Sequence, residues 1–132
     1  MILLDTDVCV AYLRGVPGVV THLHSHLDED IGVSFMTAAE LFYGAAKAER
    51  SDEATTEVEE FLSLVEIAHS DMAVLRAFGQ AKAILERAGL PIPDADILIA
   101  STALCRNATL ATGNLRHFSR IPGLRLLNWL AP

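Results

Sequence analysis

The chain has 132 residues, the length of one domain with a proper buried core, and 52% are hydrophobic, which argues against a disordered chain. No apolar run approaches the ~20 residues that a membrane span needs, and Asp5 and Asp7 interrupt the apolar N-terminus, so neither a membrane segment nor a signal peptide is expected. The net charge of −7 is unevenly placed: residues 97–132 hold Arg106, Arg116, Arg120, Arg125 and no acid, while the first 96 hold all 17 acids against the other 6 basic residues. That asymmetry suits a basic binding face beside an acidic remainder. Cys9 and Cys105 lie in apolar runs and form no CxxC pair, which fits reduced core thiols in a cytoplasmic protein.

Residues 1–4 form a continuous apolar run ending at Asp5, the pattern of a central parallel strand buried on both faces. Thr6 and Asp7 read as the cap of a short helix over 8–13, stopped by Gly15 and Pro17. A second helix is predicted over 18–29. It carries His22 and His26 at i, i+4, but no HExxH pattern or nearby Cys supports zinc, and exposed histidines are the simpler account. Strand two is predicted over 31–35. Thr37 to Glu40 then fits a capping box, so Glu40 has a structural reading beside any functional one.

An acidic amphipathic helix is predicted over 51–64, a short strand over 65–68, and a long helix over 71–88 with Met72, Leu75, Phe78, Ile84 and Leu85 apolar. Gly89 and Pro91 close it. Pro93 and Asp94 then open a helix running to Cys105, apolar on most sides, with Asp94 as its N-cap and Asp96 in its first turn. Strands follow over 108–112 and 124–127. Between them Gly113-Asn114 signals a turn, 115–118 makes one helical turn, and Trp129 is expected to pack down the C-terminus. The strand–helix alternation predicts a parallel sheet covered on both sides.

Asp5 ends a strand, while Glu40 and Asp96 begin helices after turns. In a doubly wound sheet those places converge on one edge. Three carboxylates gathered there repel one another unless a cation is present, and an oxygen-only donor set suits Mg²⁺ or Mn²⁺. Such a pocket is a general device for phosphodiester hydrolysis.

Four pieces of the chain carry a more specific likeness: Leu3-Leu4-Asp5-Thr6, Ala39-Glu40-Leu41-Phe42-Tyr43-Gly44, Asp96-Ile97-Leu98-Ile99-Ala100, and Thr112-Gly113-Asn114-Leu115-Arg116-His117-Phe118. In their order and spacing the chain resembles PIN-domain ribonucleases of the VapC toxin type along its full length, residues 1–132. The resemblance implies a single α/β/α sandwich domain with a central parallel sheet of about five strands. It implies a Mg²⁺-dependent endoribonuclease, with Mn²⁺ as a substitute, acting on RNA and inhibited by a cognate VapB-type antitoxin. It implies metal ligation by Asp5 and Asp96, with Glu40 as the third acid and Asn114 at a fourth position that is often Asp. Asp94 and Thr112 stand beside those ligands as supporting residues, and Arg116 is the arginine nearest the pocket for an RNA contact. The resemblance and the apolar content together point to a homodimer.

Two other readings use the same residues. Asp5 and Asp7 resemble the first motif of haloacid-dehalogenase-type phosphatases, with Asp5 as nucleophile. That chemistry needs a later lysine after a strand, and only Lys47 and Lys82 are present. A non-catalytic RNA- or protein-binding module of the same fold would have no need of the acids.

Overall fold

In the computed structural model, which describes residues 1–131, twelve elements alternate along the chain: β1 (Ile2–Leu4), α1 (Thr6–Leu13), α2 (Pro17–Ser25), β2 (Ile31–Ser34), α3 (Phe35–Ala46), α4 (Ser51–Leu62), β3 (Glu66–Ala68), α5 (Met72–Arg87), α6 (Asp94–Cys105), β4 (Thr109–Ala111), α7 (Leu115–Phe118) and β5 (Arg125–Leu127). The strands form one five-stranded sheet in the order β3-β2-β1-β4-β5, and every pairing is parallel. The chain reverses direction across the sheet at β1, so the crevice beyond the carboxyl ends of β1 and β4 is the switch point where such folds bind ligands.

The strands are short because each central one needs only a few apolar residues, alternating between two covered faces. Leu4, Val33 and Ala111 face a core made with Val8, Cys9, Leu23, Leu41 and Phe61. Leu3 and Leu110 face the opposite core, made with Leu85, Ile97, Ile99, Ala100 and Phe118. The sandwich expected from the sequence is therefore present. Gly32 is required where β2 meets β3: a Cβ there would lie 2.9 Å from the Glu66 carbonyl oxygen.

Several local expectations need correction. The capping box at Thr37 does not form, because Ser34 caps α3 by accepting Thr37 N (3.0 Å) and Glu40 falls inside the helix. Asp94 is not the cap of α6: Pro93 occupies that place with no side-chain bond, and Asp94 reaches Lys82 Nζ of α5 at 3.0 Å. Asp7 is not the cap of α1 either, since Asp5 itself accepts Thr6 N (2.8 Å). Helix α2 stops at Ser25, short of the predicted 29, which keeps Asp28, Glu29 and Asp30 off the negative end of its dipole. Cys105 is exposed; only Cys9 is a core thiol. On α5, Met72, Leu75 and Ile84 face outward rather than into the core. Trp129 is buried as expected, with His22 stacked on it at 5.3 Å and His26 at 5.2 Å between ring centroids.

Candidate active site

The carboxyl ends of β1 and β4 place Asp5 and Thr112 side by side, because Leu4 and Ala111 are register partners and the last residues of their strands. Thr112 Oγ1 donates to Asp5 Oδ2 (2.7 Å), and both residues are buried. The other Asp5 oxygen accepts Thr6 N. Thr6 Oγ1 donates in turn to Glu40 Oε1 of α3 (2.8 Å) and lies 3.1 Å from Thr37 Oγ1.

On the opposite side, Asn114 N donates to Thr112 Oγ1 (2.9 Å), and the Asn114 side chain caps α7 by accepting His117 N (3.4 Å). His117 Nδ1 lies 2.8 Å from Asp96 Oδ2. A carboxylate oxygen can only accept, so Nδ1 carries the proton. Asn114 Nδ2 stands 3.0 Å from the same nitrogen and cannot donate to it in that state; its orientation is set by the bond to His117 N. One hydrogen-bonded chain thus runs Glu40–Thr6–Asp5–Thr112–Asn114–His117–Asp96. It joins all three acids singled out in the sequence, together with Thr112 and Asn114.

Asp7 completes the floor. Its Oδ2 accepts Gly113 N (2.9 Å), while its Oδ1 is buried with no hydrogen-bond partner. Gly113 must be glycine for this approach: a Cβ there would meet Asp7 Oδ2 at 3.1 Å and Leu130 Cδ1 at 2.5 Å. Burial, and then the neighbouring Asp7 charge, push the Asp5 carboxyl up to about 7 against the opposing bonds from Thr112 and Thr6. Asp5 therefore holds its proton well above the usual carboxylate range, and a cation beside it would favour the charged form.

Asp94 stays outside this chain, paired with Lys82 on the flank. Arg116 is exposed on α7 and enters no side-chain bond among the described residues, whereas Arg106, Arg120 and Arg125 are engaged with Glu66, Pro91 O and Asn107 O. His117 and Asp7 are the participants that sequence reasoning missed. The only signal for His117 was its place three residues after Asn114, and Asp7 looked like an ordinary cap. Among the described residues, no three His, Cys, Asp or Glu side chains already encircle a metal position. The acids are instead engaged by the threonine and histidine bonds just described.

A parallel doubly wound fold with an acid centre at its switch point defines a small α/β protein built around clustered carboxylates. Residues 2–124 match the PIN domain family model, and the chain belongs to that family. It is 36% identical over 129 residues to ribonuclease VapC2 of Rickettsia felis, covering 96% of each chain. It is 32% identical over 127 residues to the tRNA(fMet)-specific endonuclease VapC of Shigella flexneri, again covering 96% of each. Among solved structures it superimposes with a TM-score of 0.92 on the Rickettsia felis VapBC2 complex bound to a promoter DNA fragment, at 36% identity and covering 98% and 99% of the two chains. These relatives do not support the phosphatase reading. Lys47 ends α3 and Lys82 lies within α5, so neither follows a strand. PIN-domain nucleases generally depend on a divalent metal. No helix among the described residues is long and apolar enough to cross a membrane.

Proposed function

We propose that this protein is a metal-dependent endoribonuclease and the toxin of a type II toxin–antitoxin pair, held inactive by a VapB-type antitoxin. The observation that carries the reading is the hydrogen-bonded chain joining Asp5, Glu40 and Asp96 at the switch point of a PIN fold. Relatives named as RNA-cleaving VapC enzymes, and solved structures of VapBC complexes, support it.

The residues fit a hard divalent cation, with Mg²⁺ as the natural occupant and Mn²⁺ as a substitute. The donor set is all oxygen, Asp7 Oδ1 is buried without a partner, and Asp5 sits where negative charge is disfavoured. Asp5 and Asp96 would hold the ion, with Glu40 as the third acid. What such a cation supplies is neutralisation of charge on the scissile phosphate and a more acidic water. The chain's own residues orient the acids: Thr112 and Thr6 fix the two Asp5 oxygens, Thr6 fixes Glu40, and His117, capped by Asn114, fixes Asp96.

Arg116, whose side chain has no bond among the described residues, contacts an RNA phosphate. Met72, Leu75 and Ile84, exposed along α5 with Leu104 beside them, support a homodimer. Residues 1–132 act as a single PIN domain in the cytoplasm. The test is cleavage of structured RNA by purified protein with Mg²⁺ or with chelator. Cleavage that needs the metal and is lost in Asp96→Asn supports the reading. An Asp96→Asn protein as active as wild type overturns it.

A further inference from the structure

A groove of about 480 Å³ leaves the acid centre between α1 and α3, with α4 along its far wall. Thr6 and Glu40 line its near end, so it is continuous with the centre rather than separate from it. Arg14 and Lys47 line it further on, at the C-caps of α1 and α3. Lys47 lies seven residues beyond Glu40 on the same helix, roughly 10 Å along its axis. Neither cation has a salt bridge among the described residues.

Two further observations concern the wall formed by α3. Tyr43 is 66% exposed, large for an aromatic residue, and Lys47 Nζ sits 4.7 Å from its ring centroid. Beside it, Gly44 occupies the interior of a helix, where glycine is the poorest residue after proline. Nothing in the chain requires it: a Cβ at Gly44 would meet no atom within 4 Å. A glycine that the fold does not need, on the wall of a groove, leaves room for something outside the chain to approach the helix backbone.

We propose that Tyr43, Gly44 and Lys47 form a subsite for one nucleotide of single-stranded RNA flanking the scissile bond. The base stacks on the Tyr43 ring, the backbone passes over Gly44, and the phosphate meets Lys47, with Arg14 beyond it. The proposal rests on the nuclease reading and extends it by placing the substrate's path. Charge complementarity favours RNA as the occupant. The centre is acidic and the chain carries −7 overall, so a polyanion entering at Glu40 needs local cations, and this groove supplies two. Glu57, across the groove on α4, is the acid that opposes them, which keeps the path on the α3 side. An exposed aromatic ring with a cation beside it is the general platform for an unpaired base.

The test measures binding without cleavage, by fluorescence anisotropy of a labelled single-stranded oligoribonucleotide in chelator. The proteins are wild type, Tyr43→Ala, Tyr43→Phe, Lys47→Ala and Gly44→Leu. Leucine favours helix and has open space at that position, so Gly44→Leu should melt no lower than wild type. Tyr43→Ala should weaken binding about tenfold and Tyr43→Phe should restore it, since a ring suffices for stacking. Lys47→Ala should lower the salt slope by roughly 0.7. Gly44→Leu should weaken binding in a protein that stays folded. Wild-type RNA binding in all four variants overturns the subsite, and so does a loss confined to inhibition by the co-expressed antitoxin, which would assign the groove to a protein partner. Cleavage by the same wild-type preparation in Mg²⁺ is read separately: its absence counts against the nuclease reading, and its presence with unchanged variant binding counts against the subsite alone.

Discussion

Replacing Asp5 with Asn should stabilise the metal-free protein at alkaline pH while abolishing cleavage. The magnitude follows from the carboxyl's position. Burial, and then the Asp7 charge, raise it from 3.8 to about 7. The native state therefore binds the Asp5 proton more tightly than the unfolded chain does. Its contribution is fully present below the unfolded value and is lost as pH rises through the folded one. A shift of that size corresponds to roughly 4 kcal/mol lost between about pH 4 and pH 7. Asn carries no charge at any pH and escapes that loss. It disturbs the bond from Thr112 Oγ1, which costs on the order of 1 kcal/mol. The net gain for Asp5→Asn at pH 8 is then roughly 2–3 kcal/mol, and it should vanish near pH 4. Urea unfolding of both proteins in chelator, at pH 4.5 and at pH 8, measures the difference directly. Added Mg²⁺ should then stabilise wild type at pH 8 and leave Asp5→Asn unchanged. A wild-type-to-variant difference that is the same at both pH values would refute the argument, because it would mean that Asp5 titrates alike in the folded and unfolded chains.

If Asp96 holds the metal as proposed, His117→Ala should leave the fold intact and lower metal affinity or cleavage by about 10–100-fold, the usual effect of freeing a ligand from its supporting bond; metal titration and cleavage rates check it. Asp96→Asn should abolish cleavage, whereas Asp94→Asn should keep it, since the Lys82–Asp94 pair is solvent-exposed and Asp94 makes no bond to the chain that joins the acids. Loss of activity in a folded Asp94→Asn protein would reverse those two roles. Gly113→Ala should cost about 1–3 kcal/mol in thermal unfolding, because the added Cβ meets Leu130 and crowds Asp7 off the Gly113 amide. Arg116→Ala should reduce the salt slope of RNA binding by roughly 0.7, and an unchanged slope would remove Arg116 from the interface.

The sheet was legible because continuous apolar runs at β1 and β2, each followed by a helix, admit few arrangements other than a parallel core. The acid positions were legible for the same reason: a carboxylate directly after a buried strand, or at the mouth of an apolar helix, stands out against its surroundings. What failed was the assignment of local duties. Ser34 and Thr37 each fit a cap, and the choice depended on where β2 ends, which the apolar pattern does not mark. β2 stops one residue short of the predicted Phe35, and the cap moves back with it. Asp7 resembled a cap because its real partner, Gly113, lies 106 residues away. For His117 the place three residues after Asn114 was too weak a signal, since its role depends on Asp96, 21 residues earlier. Cys105 followed an apolar helix to its end, where the last turn emerges into solvent.

These corrections share a direction that bears on function. At α3 the capping duty falls to Ser34, which leaves Glu40 with no local structural task. At α6 no side chain caps the start, and Asp96, as expected, has no capping bond to its own helix. Both acids are then held only by groups from elsewhere, Glu40 by Thr6 of α1 and Asp96 by His117 of α7. Asp5 is the exception: it caps α1 through Oδ1 and accepts Thr112 through Oδ2. It is also the acid whose ionisation is displaced furthest, because it is buried beside Asp7. The fold thus caps α3 and α1 with Ser34 and Asp5 and leaves Glu40 and Asp96 free of capping duties at one crevice, which is the arrangement that the proposed cation and phosphodiester would use.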